Sequence, residues 1–227
     1  MAVAAIIRAI KSLLKSSVWL RLIVIMSSLW GESCSRVVLD ERFHNPGLTN
    51  WTIVDEPDTA EGPSDWRVEP DGWLHQRSNI WGRRGDFIGR WYGTLLVAGN
   101  TDWRDYTLSV KAKPEDDDGF GVVFRYSDPS HFYRLLLIEG DMNGGPLTRL
   151  DKRMGDDYTG LWLSERGYEP GRELLIVIDV KGNNITAMLN GTILATVVDD
   201  SYATGKVGLF CFAQKGQAFD DVRVTLK

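Results

Sequence analysis

The chain has 227 residues, 26 basic and 31 acidic, for a net charge of −5 at pH 7. With 43% hydrophobic and 25% charged residues it is neither a disordered chain nor a multispan membrane protein. Residues 1–31 hold Arg8, Lys11, Lys15 and Arg21 and no acid, a local +4, so of the total −5 the remainder carries −9. That argues against non-specific nucleic-acid binding, which needs a basic face.

The opening pattern predicts an amphipathic helix over residues 2–17. Val3, Ile6, Ile7, Ile10, Leu13 and Leu14 fall on one face at a 3.6-residue period, with Arg8, Lys11, Ser12, Lys15 and Ser16 on the other. Val18 to Trp30 follows as an apolar stretch, shorter than the ~20 residues of a membrane span but long enough for a signal-peptide core. Residues 1–35 therefore read as a signal peptide or a membrane anchor, with small residues at Gly31, Ser33 and Ser35 around candidate cleavage sites. An organelle transit peptide shares the basic, acid-free composition. A signal peptide or an anchor places residues 36–227 on the extracytoplasmic side, secreted, periplasmic or held outward at the membrane. An oxidising compartment would permit a Cys34–Cys211 bridge; two unpaired thiols are the alternative.

From Arg36 onward, alternation replaces helical periodicity. Tyr106, Leu108, Val110 and Ala112 alternate with Thr107, Ser109, Lys111 and Lys113, the pattern of a strand with one wet face. Residues 121–126, 132–138, 174–180, 185–189, 193–198, 207–213 and 219–226 read as further strands, several apolar on both faces. Asn190-Gly191 between two apolar runs is a strong hairpin signal, because both turn positions need positive φ. About a dozen strands without a helical crossover predict an all-β antiparallel sandwich of jelly-roll type.

Several runs carry a resemblance. Asp102-Trp103-Arg104-Asp105-Tyr106, Gly119-Phe120-Gly121-Val122-Val123-Phe124-Arg125-Tyr126 and His131-Phe132-Tyr133-Arg134 resemble the pattern of concanavalin A-like lectin/glucanase domains, including laminin-G-like and carbohydrate-binding modules. Gly205-Lys206-Val207-Gly208-Leu209 and Phe219-Asp220-Asp221-Val222 extend it, as do Asp40-Glu41-Arg42-Phe43, Trp66 and Gly72-Trp73-Leu74. The resemblance implies one sandwich domain over residues 36–227. It names the fold, not the ligand, since the superfamily holds lectins, glycosidases, lyases and adhesion domains alike.

Catalysis finds little support. Glycoside hydrolysis needs two carboxylates across one cleft. Glu139-Gly140-Asp141 approaches the Glu-x-Asp-x-x-Glu pattern that the resemblance implies for hydrolases, but Gly144 stands where the third carboxylate belongs. His44, His75 and His131 are the three histidines, and no nucleophile elbow, phosphate loop or metalloprotease motif is present. The expectation is a non-catalytic glycan-binding or adhesion domain. The alternative is an anchored accessory subunit of a larger membrane complex, with the sandwich as its protein-docking surface and residues 1–35 retained.

Sugar rings stack on exposed indoles, so the seven tryptophans beyond the leader matter. Trp66, Trp73 and Trp103 belong to the fold pattern and are expected to be structural. Trp81 and Trp91 flank the polar Gly82–Asp86 segment and Trp162 follows Gly160, which makes these three the candidate ligand platforms. Arg125 and Arg134 are candidate hydrogen-bond donors in a shallow groove, or partners in cross-strand ion pairs. Strand phase points Glu41 and Asp220 inward where first and last strands would meet. Two such acids need a cation or donors, and the resemblance implies a structural calcium there. The acidic run Glu115-Asp116-Asp117-Asp118-Gly119 is a second candidate for calcium, though without EF-hand spacing, and otherwise reads as a solvated hairpin tip; Arg84-Gly85-Asp86 reads as a short integrin-like string. Asn50, Asn184 and Asn190 head N-glycosylation sequons.

Overall fold

The computed structural model describes residues 35–57, 59–82 and 90–227. The strands, in chain order, are β1 (Arg36–Glu41), β2 (Trp51–Asp55), β3 (Thr59–Ala60), β4 (Trp66–Val68), β5 (Leu74–Gln76), β6 (Trp81–Gly82), β7 (Thr94–Ala98), β8 (Tyr106–Lys113) and β9 (Gly119–Asp128). They continue with β10 (His131–Ile138), β11 (Leu147–Met154), β12 (Asp157–Ser164), β13 (Leu174–Lys181), β14 (Asn184–Leu189), β15 (Thr192–Val198), β16 (Lys206–Phe212) and β17 (Gln217–Leu226). A single 3₁₀ turn, Asp141–Asn143, joins β10 to β11.

Two antiparallel sheets face each other. The first runs β15-β14-β13-β8-β17-β5-β4, with β1 also paired to β17; the second runs β12-β11-β10-β9-β16-β7-β2. β3 and β6 form a small separate pair. The predicted sandwich and the pairing of first and last strands are both present. The predicted N-terminal helix, the candidate cleavage sites, Cys34 and the Arg84–Asp86 triplet lie outside the described residues. Among the described residues no helix is long and apolar enough to cross a membrane.

The core between the sheets follows from the alternation. Leu108, Val110 and Ala112 of β8, with Ile176, Ile178 and Val180 of β13, meet Phe120, Val122 and Phe124 of β9 and Leu135 and Leu137 of β10. Burying each such side chain contributes ~1.5–3 kcal/mol before conformational entropy is subtracted. The second sheet is apolar on its other face too. Val123, Leu136, Ile138, Phe210 and Phe212 form a second cluster there, beneath Trp91 and Tyr158. This explains why β9, β10 and β16 read as continuous apolar runs.

Two local features fix the strands. At the β14–β15 hairpin Asn190 and Gly191 take φ of 50° and 78°, as the sequence predicts, and the Asn190 side-chain oxygen accepts the Leu175 N–H at 2.8 Å. In β9, Gly121 pairs with Leu136 on one side and Phe210 on the other, and a Cβ there would lie 1.8 Å from the Leu135 carbonyl oxygen.

The last strand departs from its expected phase. The pairing of β17 with β8 shifts between Asp220 and Arg223, and Asp221 has φ of 48°. Phe219, Val222 and Val224 all face the core, so the extra residue of the bulge turns Asp220 to the opposite face, its backbone opposite that of Lys111, whose ammonium pairs with Asp221 at 2.8 Å. Glu41 pairs with Val222 and keeps its inward phase, its Oε1 accepting the Phe43 N–H at 2.9 Å. Glu41 and Asp220 thus stand on opposite faces and do not form the carboxylate pair on which the calcium expectation rested.

Candidate functional site

The outer face of the second sheet is held by ions. In β11, Arg149, Asp151 and Arg153 follow at every second residue and so share one face. Arg134 of β10 lies directly opposite Asp151 and donates to both its oxygens, at 3.2 and 2.9 Å. The same guanidinium donates to the Trp91 and Arg90 carbonyls and stacks 3.7 Å over the Tyr158 ring. Glu56 accepts from the Gly93 N–H at 2.7 Å, from the Tyr158 hydroxyl at 2.6 Å and from Arg153. Burial pushes the Glu56 and Asp151 carboxyls up, against the pull of the arginines beside them. These contacts clamp residues 90–93 onto the sheet.

Two grooves open at the sheet end where β10 passes into β11. The first, about 710 Å³, is walled by Trp81 and floored by Phe212 and Ala213. The acidic residues Asp117, Asp118, Glu139 and Asp141, together with Asn79, also line it. The loop is well supported: the Asp117 carbonyl accepts the Glu139 N–H at 2.9 Å, and Glu139 Oε2 accepts the Tyr168 N–H at 2.9 Å. Asp116, Asp117 and Asp118 bring carboxylate oxygens within 4.8 Å of one another at an exposed tip. An indole wall beside oxygen acceptors can bind a ring with an apolar face and hydroxyl edges.

The second groove, about 510 Å³, is lined by Gly144, the residue after the Asp141–Asn143 turn, and is more apolar. Leu147, Leu163 and the edges of Trp91 and Trp162 line it, with Arg149 as its charged group and Gly160 leaving room above the guanidinium. Arg149 is anchored by Asp151 at 3.1 Å and donates to the Tyr158 carbonyl at 3.1 Å.

The candidate platforms separate accordingly. Trp81 is half-buried in the first groove and Trp162 half-buried in the second, where it pairs with core-facing Leu150. Trp91 is not exposed: it is 3% accessible, packed onto the sheet, with Arg149 5.3 Å over its ring. Arg125 and Arg134 do not line a groove. Both are fully buried, with the Arg125 terminal nitrogens donating to carbonyls and Arg134 donating to carbonyls and to Asp151. Arg125, at φ of 47°, serves the other end of the sandwich, where it donates to the carbonyls of Tyr202, Arg104 and Gly182. Trp66 and Trp103 pack in or against the core, as expected, the Trp66 indole N–H donating to Thr94. Sequence reasoning missed Arg149, Asp117 and Asp118 as groove residues. The acidic run was the only signal for Asp117 and Asp118, and nearness to the Gly140–Gly145 loop the only one for Arg149.

The fold is an antiparallel β-sandwich similar to those of a carbohydrate-binding module and of a protein with a galectin-like fold, in keeping with the concanavalin A-like resemblance of the sequence. No family model matches the chain. Over 172 residues it is 28% identical to an extracellular exo-alpha-L-arabinofuranosidase of Streptomyces chartreusis, a match that covers 69% of this chain and 20% of that protein. The chain thus spans about a fifth of that relative's length. Among solved structures, it is similar to the carbohydrate-binding module CBM66 from Bacillus subtilis, with a TM-score of 0.59 at 14% identity over 76% of this chain and 93% of that one. It is also similar to domain 4 of AbnA, an extracellular arabinanase of Geobacillus stearothermophilus, in complex with arabinotriose (TM-score 0.50, 15% identity, 85% and 93% covered).

Proposed function

We propose that residues 36–227 form an extracytoplasmic, non-catalytic carbohydrate-binding domain, and that its ligand lies in the Trp81 groove. The observation that carries this reading is a single groove lined by Trp81 and by four acidic residues, Asp117, Asp118, Glu139 and Asp141. The indole takes the C–H face of a sugar ring, and the carboxylates accept hydrogen bonds from neighbouring hydroxyls. The similarity to a carbohydrate-binding module, and to the domain solved with arabinotriose, supports the ligand class. The extracellular relative and the basic, apolar leader support the location. A glycosidic general acid is a carboxyl held protonated by burial. The carboxyls that burial raises, Glu56, Asp151 and Asp220, line neither groove, and the first two are sealed by arginines.

Titration of the protein with arabinan and a panel of plant and bacterial polysaccharides, followed by tryptophan fluorescence and calorimetry, tests the proposal. Binding to at least one class, weakened about tenfold or more by Trp81→Ala, and no release of reducing sugar, is the expected result. Failure to bind any polysaccharide, or hydrolysis of one, overturns it.

A further inference from the structure

We propose that the two grooves are adjoining subsites for one uncharged glycan chain, so that the domain reads an internal stretch of several sugars. This inference rests on the carbohydrate-binding reading and deepens it. The grooves share one loop: Asp141 and Met142 line the first and Gly144 lines the second. In the chain, the 3₁₀ turn Asp141–Asn143 ends the first groove's share of this loop, and Gly144, the next residue, begins the second's. A ligand that fills both grooves passes over this turn and is longer than a single sugar. Met142 crowns the turn at 95% exposure and offers a pliable apolar contact to a chain passing over.

The charge of the two grooves selects the chain. The first presents carboxylates, Asp117, Glu139 and Asp141 among them; the second presents Arg149. A polyanion meets like charge in the first groove and a polycation meets it in the second. An uncharged polyol satisfies both, its hydroxyls donating to the carboxylates and accepting from the guanidinium.

Gly160 gives separate access to the second groove. It does not have the positive φ that would bar a side chain, and a Cβ there would rest 3.4 Å from Arg149 Nε, an ordinary contact. Gly160→Leu therefore covers the guanidinium without straining the strand. Leu163, 59% exposed on the groove wall, offers a second variant, Leu163→Asp, with no core contact to lose.

The test titrates the full chain with neutral oligosaccharide ladders of one to six units cut from arabinan, galactan, xylan and levan, and with polygalacturonate as the acidic control. The expected Kd falls about tenfold or more between one unit and the longer members of one ladder. Gly160→Leu and Leu163→Asp abolish that gain but leave single-sugar binding intact. Polygalacturonate does not compete, and raising the salt shifts Kd less than twofold. Equal affinity for single sugars and long chains, a length gain untouched by both variants, or preference for polygalacturonate overturns the subsite proposal while leaving glycan binding in place. Absence of binding to every ladder and polymer overturns both.

Discussion

Arg134 and Asp151 face each other across adjacent strands, joined by two parallel hydrogen bonds, and neither is exposed. Such a fork is geometrically specific, but it took two charges out of water, and breaking it strands one of them. Asp151→Ala is expected to cost about 3–5 kcal/mol in urea unfolding, because Arg134 and Arg149 both lose their carboxylate. The double variant Arg134→Met with Asp151→Ala should recover part of that loss. A double variant as unstable as the sum of the singles would show that the two residues act independently.

Asp199 predicts an acid limb of the stability curve. Burial opposes its charge, but donors from Lys152, Tyr133 and Ser201 outweigh that and hold the carboxyl at about 2, below its ordinary 3.8. A depressed carboxyl contributes stability that is complete above the unfolded value and is lost as pH falls through the folded one. Melting temperature should therefore drop between about pH 4 and pH 2, and Asp199→Asn should flatten that drop. Each kcal/mol lost at neutral pH corresponds to ~2–4 °C in a chain of this size. An unchanged acid slope in the variant would assign it to other groups.

Asp220 has the opposite sign. One of its oxygens is buried without a partner, and burial together with the adjacent Asp221 raises its carboxyl above the ordinary value. A raised carboxyl costs stability once pH exceeds the folded value, so Asp220→Asn should raise the melting temperature at pH 7 and leave it unchanged near pH 2. Chelator should not move the melting temperature of either form, since Glu41 faces away from Asp220. A chelator-sensitive transition that Asp220→Asn removes would restore the calcium reading.

Gly121→Ala should be among the most damaging single changes. Its new Cβ would overlap the Leu135 carbonyl oxygen in the middle of the second sheet, and neither neighbouring strand can withdraw. A loss of ~3 kcal/mol or more, read by denaturant unfolding, is expected. A near-native midpoint would mean that β9 and β10 can part locally.

What the sequence disclosed depended on how far each face advertised itself. β8, β13 and the Asn190-Gly191 hairpin were legible because alternation and turn chemistry agree there. β11 was not: Arg149, Asp151 and Arg153 look like a wet face, although two of the three are fully buried beneath residues 90–93. The same burial removed Arg134 from the set of ligand donors and covered Trp91. The bulge at Asp221 carries no glycine or proline to announce it, and one extra residue sufficed to reverse Asp220. Trp81 and Trp162 do reach grooves, but the acids and the arginine that give those grooves their character come from loops and strands distant in sequence.

Cys211 lies in β16, paired with Thr94 and Phe120 in the middle of the second sheet, fully buried, with its thiol pushed well above the ordinary range. No local opening of a loop can bring it to solvent; β16 must separate from β7 or β9 first. A thiol reagent therefore reads the lifetime of the whole sandwich. In a Cys34→Ser background, the labelling rate of Cys211 becomes a clock for global unfolding, one that runs under native conditions and needs no denaturant.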